Sequence, residues 1–283
     1  MQVAIRTAVR KIQGASKRIR MTLESGEIFQ SWDLYSRIVH NNWMRHREMN
    51  EAIDRCVAMC PQPIRVLDLG CGDGSMACAG LNRFDVAQYV GIDLSGDALK
   101  LLARRSGPGT RKQQTVSQDP VDCTKETLSN GATSESLKKL LFMGDMREQL
   151  RGLPSASFDV VIASYSLHHY SSLEKREALD HVVRVLAPGG QFIWIDIARQ
   201  GDEGRADYLD RIEEEIHLNW VGMPVGEQAD AIEHIRNCDY PETTSWMEAE
   251  WMARGGALVE CLFRDPFYGC WAMRRGSSSQ RSN

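Results

Sequence analysis

Val66-Leu67-Asp68-Leu69-Gly70-Cys71-Gly72-Asp73-Gly74 is the stretch from which the rest of the chain is read. An apolar run from Ile64 to Leu69 ends in three glycines at alternate positions, Gly70, Gly72 and Gly74. This reads as a buried strand feeding a tight turn, with a helix opening from about Ser75. Glycine has no side chain, so such a turn can take positive φ and let a ligand approach the backbone. The helix that follows offers N–H groups and the positive end of its dipole. A second strand, Tyr89-Val90-Gly91-Ile92-Asp93, ends in an acid nineteen positions after Gly74. In nucleotide-binding βαβ units that spacing puts a carboxylate on a ribose.

Three details sharpen the turn. Its pattern is Gly-x-Gly-x-Gly, Asp68 stands two positions before the first glycine, and a carboxylate there suits a positive amine better than a pyrophosphate. On these residues the stretch closely resembles motif I of the class I S-adenosylmethionine-dependent methyltransferases. Leu186-Ala187-Pro188-Gly189-Gly190 before a strand is a second point of resemblance. The resemblance implies an α/β fold, a doubly wound, seven-stranded, mostly parallel sheet with an antiparallel C-terminal hairpin and helical cap segments. It implies S-adenosylmethionine (AdoMet) as cofactor, S-adenosylhomocysteine as product, and no metal, since the sulfonium is itself the electrophile. The implied cofactor-binding residues are Asp68, Gly70, Cys71, Gly72, Gly74, Asp93, Leu94, Asp145, Met146 and Ser164. Asp93 would meet the ribose and Asp145 the adenine amino group, with Met146 supplying an apolar face. A helix N-cap is an equally good reading of Asp145.

The composition is that of an ordinary globular protein, 283 residues long, 42% hydrophobic and 25% charged, with net charge −4. It gives no global sign of a polyanion partner, and nucleic acid is not expected. No apolar run approaches the roughly 18 residues of a membrane span. The eight cysteines form no metal-ligand spacing and read as free thiols of a reducing, cytoplasmic environment. Nothing in the pattern sets the oligomeric state.

The expected organisation is a basic leader at 1–26, an N-terminal helical cap at 27–60, a methyltransferase domain at 61–275 and a tail at 276–283. Residues 1–20 hold six basic residues and no acid. An organelle transit peptide, a basic arm and a solvated leading helix all fit that composition. Within 27–60, Ile28, Trp32, Tyr35, Ile38 and Val39 recur at helical spacing. Such a segment suits a lid over a cofactor or a helix packed on a domain edge, and Tyr35 is the residue expected to visit the active site. Inside the domain, the polar stretch 105–136 reads as a flexible insertion and 203–239 as a helical cap of two helices. Strands are expected at Arg65–Leu69, Tyr89–Asp93, Leu140–Met143, Phe158–Ala163 and Gln191–Ile197. A closing pair is expected at Leu258–Arg264 and Tyr268–Arg274. Ser95 reads as an N-cap, and Ser171/Glu174 and Ser245/Glu248 as capping boxes.

Ligands of open α/β sheets sit at the carboxyl ends of the strands, and Ser164-Tyr-Ser-Leu-His-His-Tyr170 follows strand four. His168, His169 and Tyr170 are therefore the candidates for a base or a substrate-orienting group, and histidine suits the role because it titrates near neutral pH. One histidine alternatively only holds loop geometry. Asp196, ending strand five, is placed to contact a polar substrate. The resemblance is to the small-molecule branch, so a small-molecule acceptor is the expected partner. A non-catalytic AdoMet-binding assembly partner and an RNA or protein methyltransferase are the alternatives.

Overall fold

The computed structural model describes residues 32–105 and 138–276, and these fall into two compact units. Of the described residues, the larger comprises 44–105, 138–208 and 240–276, the smaller 32–43 and 209–239. The basic leader, nearly all of the 105–136 insertion and the tail after Gly276 lie outside the described residues.

The larger unit is built on one sheet. Its strands are β1 (Ile64–Leu69), β2 (Val86–Asp93), β3 (Lys138–Met143), β4 (Phe158–Ser164), β5 (Leu186–Arg199), β6 (Glu242–Thr243), β7 (Gly256–Arg264) and β8 (Tyr268–Arg275). The order across the sheet is β3-β2-β1-β4-β5-β8-β7, with the two-residue β6 pairing beside β5. Strands β1 to β5 run parallel, whereas β8 is antiparallel to β5 and β7 antiparallel to β8. This is the expected mostly parallel sheet closed by an antiparallel hairpin, with β6 as an addition. Strand order reverses between β1 and β4, which opens a crevice at their carboxyl ends.

Side chains alternate between the two faces of a strand. From β1, β2, β4 and β5, residues Leu67, Val90, Val161 and Trp194 share one core cluster. Covering them are Leu150 of α5 (Met146–Gly152), Leu179 and Val182 of α6 (Ser172–Val185), and Met247 and Trp251 of α9 (Thr244–Ala253). On α2 (His46–Val57), Met49, Ala52, Ile53 and Cys56 are fully buried, and this helix packs against α3 (Ser75–Gly80) and against β5, β7 and β8. Helix α4 (Gly96–Arg104) packs on β2 and β3. Its N-cap is Ser95, whose side chain accepts from Ala98 N–H, and α6 opens with the complete Ser171/Glu174 capping box.

Three expectations need correction. The 27–60 cap is not one segment: α1 (Trp32–His40) falls in the smaller unit, and α2 is a sheet-packing helix of the larger one. Between them Asn42 and Arg45 take left-handed φ of 57° and 59°, which ends the helical run without a glycine or proline. Strand β5 starts at Leu186, so Pro188-Gly189-Gly190 lies inside it as an irregularity that shifts the pairing with β4. Helix α9 is capped by Thr243, whose hydroxyl accepts from Trp246 N–H, rather than by Ser245.

In the smaller unit, α7 (Arg205–Asn219) from Leu209 onward and α8 (Val225–Cys238) form the expected helix pair. Ile212, Ile216 and Trp220 are its buried stripe. Trp43 stacks on Trp220 with ring centroids 5.3 Å apart and planes 5° from parallel. Arg37 pairs with Glu227 at 2.8 Å, and Arg236 joins Asp210 at 2.8 Å and Glu213. Among the described residues no helix is long and apolar enough to cross a membrane.

Candidate active site

The three motif glycines have φ of 67°, 53° and 71°, the left-handed region that a side chain disfavours. Gly70 and Cys71 N–H both donate to Ile92 O, at 2.8 and 3.0 Å, which binds the turn to the end of β2. A Cβ on Gly70 would lie 2.4 Å from Cβ of Ser166, and one on Gly74 would lie 2.3 Å from Leu102 Cδ1. Gly72 differs, because a Cβ there would meet nothing within 4 Å. So packing against Ser166 requires Gly70, Gly74 sits against the tip of the Leu102 side chain, and Gly72 borders open space. Asp73 is fixed from outside by Arg105, at 2.6 Å, while its other oxygen accepts from Ser75 N–H at 3.0 Å.

Asp68 lies beneath the turn and is 2% exposed. Its Oδ2 accepts from the buried Tyr89 hydroxyl at 2.5 Å. Burial, aided by the like charge of Asp93 and opposed by the Tyr89 bond, pushes its carboxyl up to about 7. Cys71 is likewise buried beside these acids, and its thiol is pushed well up by burial.

Asp93 ends β2 and turns both oxygens to the backbone. Oδ2 accepts from Gly72 N–H at 2.7 Å and Oδ1 from Ser95 N–H at 2.8 Å. Burial raises its pKa, and these backbone bonds work against the rise. One carboxylate thus ties the glycine turn to the start of α4. Leu94 follows and stays 41% exposed, and Met143 at the end of β3 is 59% exposed, so two apolar side chains stand open beside Asp93. Sequence reading missed Met143; a large apolar residue ending a strand beside the motif acid was the available signal. Asp145 is the N-cap of α5, accepting from Arg147 N–H at 2.8 Å, and the Arg147 guanidinium lies 3.3 Å from both its oxygens. Met146 is buried against the core.

At the carboxyl ends of β4 and β5, Nδ1 of His168 is hydrogen-bonded to Asp196 Oδ1, and both residues are buried. Asp196 also accepts from Trp194 Nε1 and from Ile197 N–H, each at 3.0 Å. A single 3-10 turn, Leu167–His169, carries His168, and the rings of His168 and His169 stand edge to face 4.1 Å apart. Sequence reading placed Asp196 near substrate; the structure gives its carboxylate to His168.

Two residues between β4 and that turn carried no legible signal. Tyr165 has φ of 51°, and its hydroxyl donates to Met44 O. Ser166 is buried and its hydroxyl donates to Leu69 O at 2.8 Å, closing the crevice wall against Gly70. Ser164 Oγ, just before them, is buried with no hydrogen-bond partner among the described residues. Tyr35 is half-buried on α1, in the smaller unit. The sheet therefore gathers Asp68, the glycine turn, Asp93 with Leu94, Asp145, Ser164, and the His168–Asp196 pair along its carboxyl edge.

Residues 41–254 match a family described as a methyltransferase domain. YcgJ of Bacillus subtilis, an uncharacterized methyltransferase, is 25% identical over 212 residues, 72% of this chain and 70% of that one. The S-adenosyl-L-methionine-dependent Diels-Alderase iccD of Talaromyces variabilis is 28% identical over 185 residues, 65% of this chain and 53% of that one. The chain thus spans only about half the length of this second relative. Among solved structures, a SAM-dependent methyltransferase from Archaeoglobus fulgidus superposes with a TM-score of 0.53 at 11% identity, covering 84% of this chain and 99% of that one. A family match across most of the chain, on a sheet of this strand order, makes it a member of the class I S-adenosylmethionine-dependent methyltransferases.

Proposed function

We propose that the protein transfers the AdoMet methyl group to a small-molecule acceptor, and that His168 takes the proton the acceptor releases. The buried His168–Asp196 pair at the carboxyl edge of β4 and β5 carries this reading. The turn fits AdoMet: it has open space at Gly72, acidic groups on either side at Asp68 and Asp93, and an unsatisfied buried hydroxyl at Ser164. Asp68, Gly70, Cys71, Gly72 and Gly74 would hold its amino-acid end, Asp93 its ribose, and Leu94, Asp145 and Met146 its adenine. When bound, the cofactor supplies a methyl carbon activated by the sulfonium.

The chain's own part is alignment and proton removal. With Nδ1 of His168 bonded to Asp196, its imidazole is the group that would take the acceptor's proton. Asp196 then stabilises the imidazolium that forms. His169 flanks the ring. A net charge of −4 favours a small acceptor over a polyanion.

The experiment is transfer of labelled methyl from AdoMet into a cell extract separated into metabolite, protein and RNA fractions. Label in metabolites supports the reading. Label in RNA or protein overturns the acceptor class, and no label despite cofactor binding overturns catalysis. His168→Asn should lower the rate roughly 10²-fold while leaving AdoMet affinity within about twofold. An unchanged rate would remove His168 as the base.

A further inference from the structure

We infer that Lys175 is a positioning residue for His168, acting through the backbone of Tyr240 and the carboxylate of Glu242. Lysine is almost never fully buried unless paired, yet Lys175, in the first turn of α6, is 1% exposed. Its Nζ donates to Tyr240 O and to Glu242 Oε1, the latter at 3.1 Å. Tyr240 in turn donates its N–H to His168 O at 2.7 Å. The Tyr240 peptides therefore form a strap, with Lys175 at one end and the histidine backbone at the other.

Glu242 makes the second connection. It is buried, accepts from the Ser172 hydroxyl at 2.6 Å, and lies 3.7 Å from the Arg199 guanidinium. In β6 it pairs with Ala198 of β5, two residues beyond Asp196. Lys175 thus stands behind both members of the pair, reaching His168 through Tyr240 and the Asp196 strand through Glu242.

Stability alone does not account for this arrangement. A buried ion pair is commonly matched or exceeded in stability by apolar residues of similar size. An apolar side chain, however, cannot hold a carbonyl oxygen, so the strap needs the ammonium. The rate effect rests on the reading of His168 as proton acceptor; the geometric effect does not.

The test uses the full chain with nitrogen-15-labelled histidine. A buried imidazole Nδ1–H bonded to a carboxylate gives a far-downfield proton resonance, which reports the His168–Asp196 geometry without any acceptor. Lys175→Met alone leaves the buried Glu242 charge with only the more distant Arg199 guanidinium beside it, so Lys175→Met/Glu242→Leu is the informative variant. It should fold, bind AdoMet with affinity within about twofold, lose or broaden the resonance, and transfer label into a metabolite extract roughly tenfold or more slowly. Lys175→Arg keeps a cation and its donors and should retain the resonance. A folded double variant with resonance and rate intact would overturn the inference. So would equal loss of the resonance in a folded Lys175→Arg, which would reduce Lys175 to packing. If instead His168→Asn leaves transfer unchanged, the proton-acceptor reading falls and the resonance still decides the strap.

Discussion

Replacing Asp68 by Asn should make the protein more stable in mild alkali and less able to hold its cofactor. Asp68 is buried beneath the glycine turn, and burial raises its carboxyl to about 7. A folded pKa above the unfolded one means the native state holds the proton more tightly. Its stabilising contribution is then complete below the unfolded value and is lost as pH rises through about 7. A rise of about three pKa units corresponds to about 4 kcal/mol. Asn is neutral throughout and still offers an oxygen to the Tyr89 hydroxyl, which now donates to Asp68 Oδ2. Asp68→Asn should therefore gain up to about 4 kcal/mol near pH 8 and nothing near pH 4. Urea denaturation of both proteins at the two pH values, with unchanged slope, measures this. Calorimetry at neutral pH should show AdoMet affinity reduced about tenfold, from loss of the carboxylate proposed to meet the cofactor's ammonium. A gain of equal size at both pH values, or none at the higher, would refute the buried-carboxyl argument.

Gly70→Ala and Gly72→Ala should separate folding from binding. The first puts a Cβ 2.4 Å from Ser166 and should lower stability by about 2 kcal/mol or more, whereas the second meets open space and should cost about 1–2 kcal/mol while weakening AdoMet binding; thermal melts and calorimetry read the two. Asp93→Ala should weaken AdoMet binding by about 1–3 kcal/mol, and unchanged affinity would contradict the ribose assignment. Burial lowers His46 to about 4, so its contribution is complete above the unfolded value near 6.5 and falls away by about 3 kcal/mol as pH drops toward 4. That slope opposes the one from Asp68 over the same window, so His46→Phe should expose a stability that declines with rising pH where the parent is nearly flat.

The parallel strands, the hairpin and the glycine turn were legible because each is written locally. Apolar runs are bounded by Gly, Pro or an acid, and caps such as Ser95 and Ser171 announce helices. What escaped depends on contacts between distant residues. The polar residues His40, Asn41, Asn42, His46 and Arg47 interrupt the apolar pattern, and asparagine tolerates left-handed backbone, but no local signal marks Arg45 as adopting it too and dividing the predicted N-terminal helix. Thr243 and Ser245 are both acceptable caps, and pairing of Glu242 with Ala198 at the end of β5 places the helix start beside Thr243. At the site, the motif exposed Asp93 and the histidines. It did not show that Asp93 would bond both Gly72 and Ser95, nor that Asp196 would hold His168. Spacing brings such groups to one edge, and only the folded sheet sets which of them touch.

The position of β8 has a consequence for biosynthesis. It is the last of the described strands to leave the ribosome, yet it occupies the interior of the sheet, flanked by β5 and β7. Until it arrives, β5 has an open edge where Phe192, Trp194 and Ile195 wait for their neighbours Met273, Trp271 and Cys270. A nascent chain halted after β7 would present that edge to other copies, a pairing hazard of the kind that promotes aggregation. The parallel half can be assembled early, but its protection depends on the final turn of the hairpin. Translation speed through residues 256–275 therefore bears on yield, independently of the stability of the finished protein.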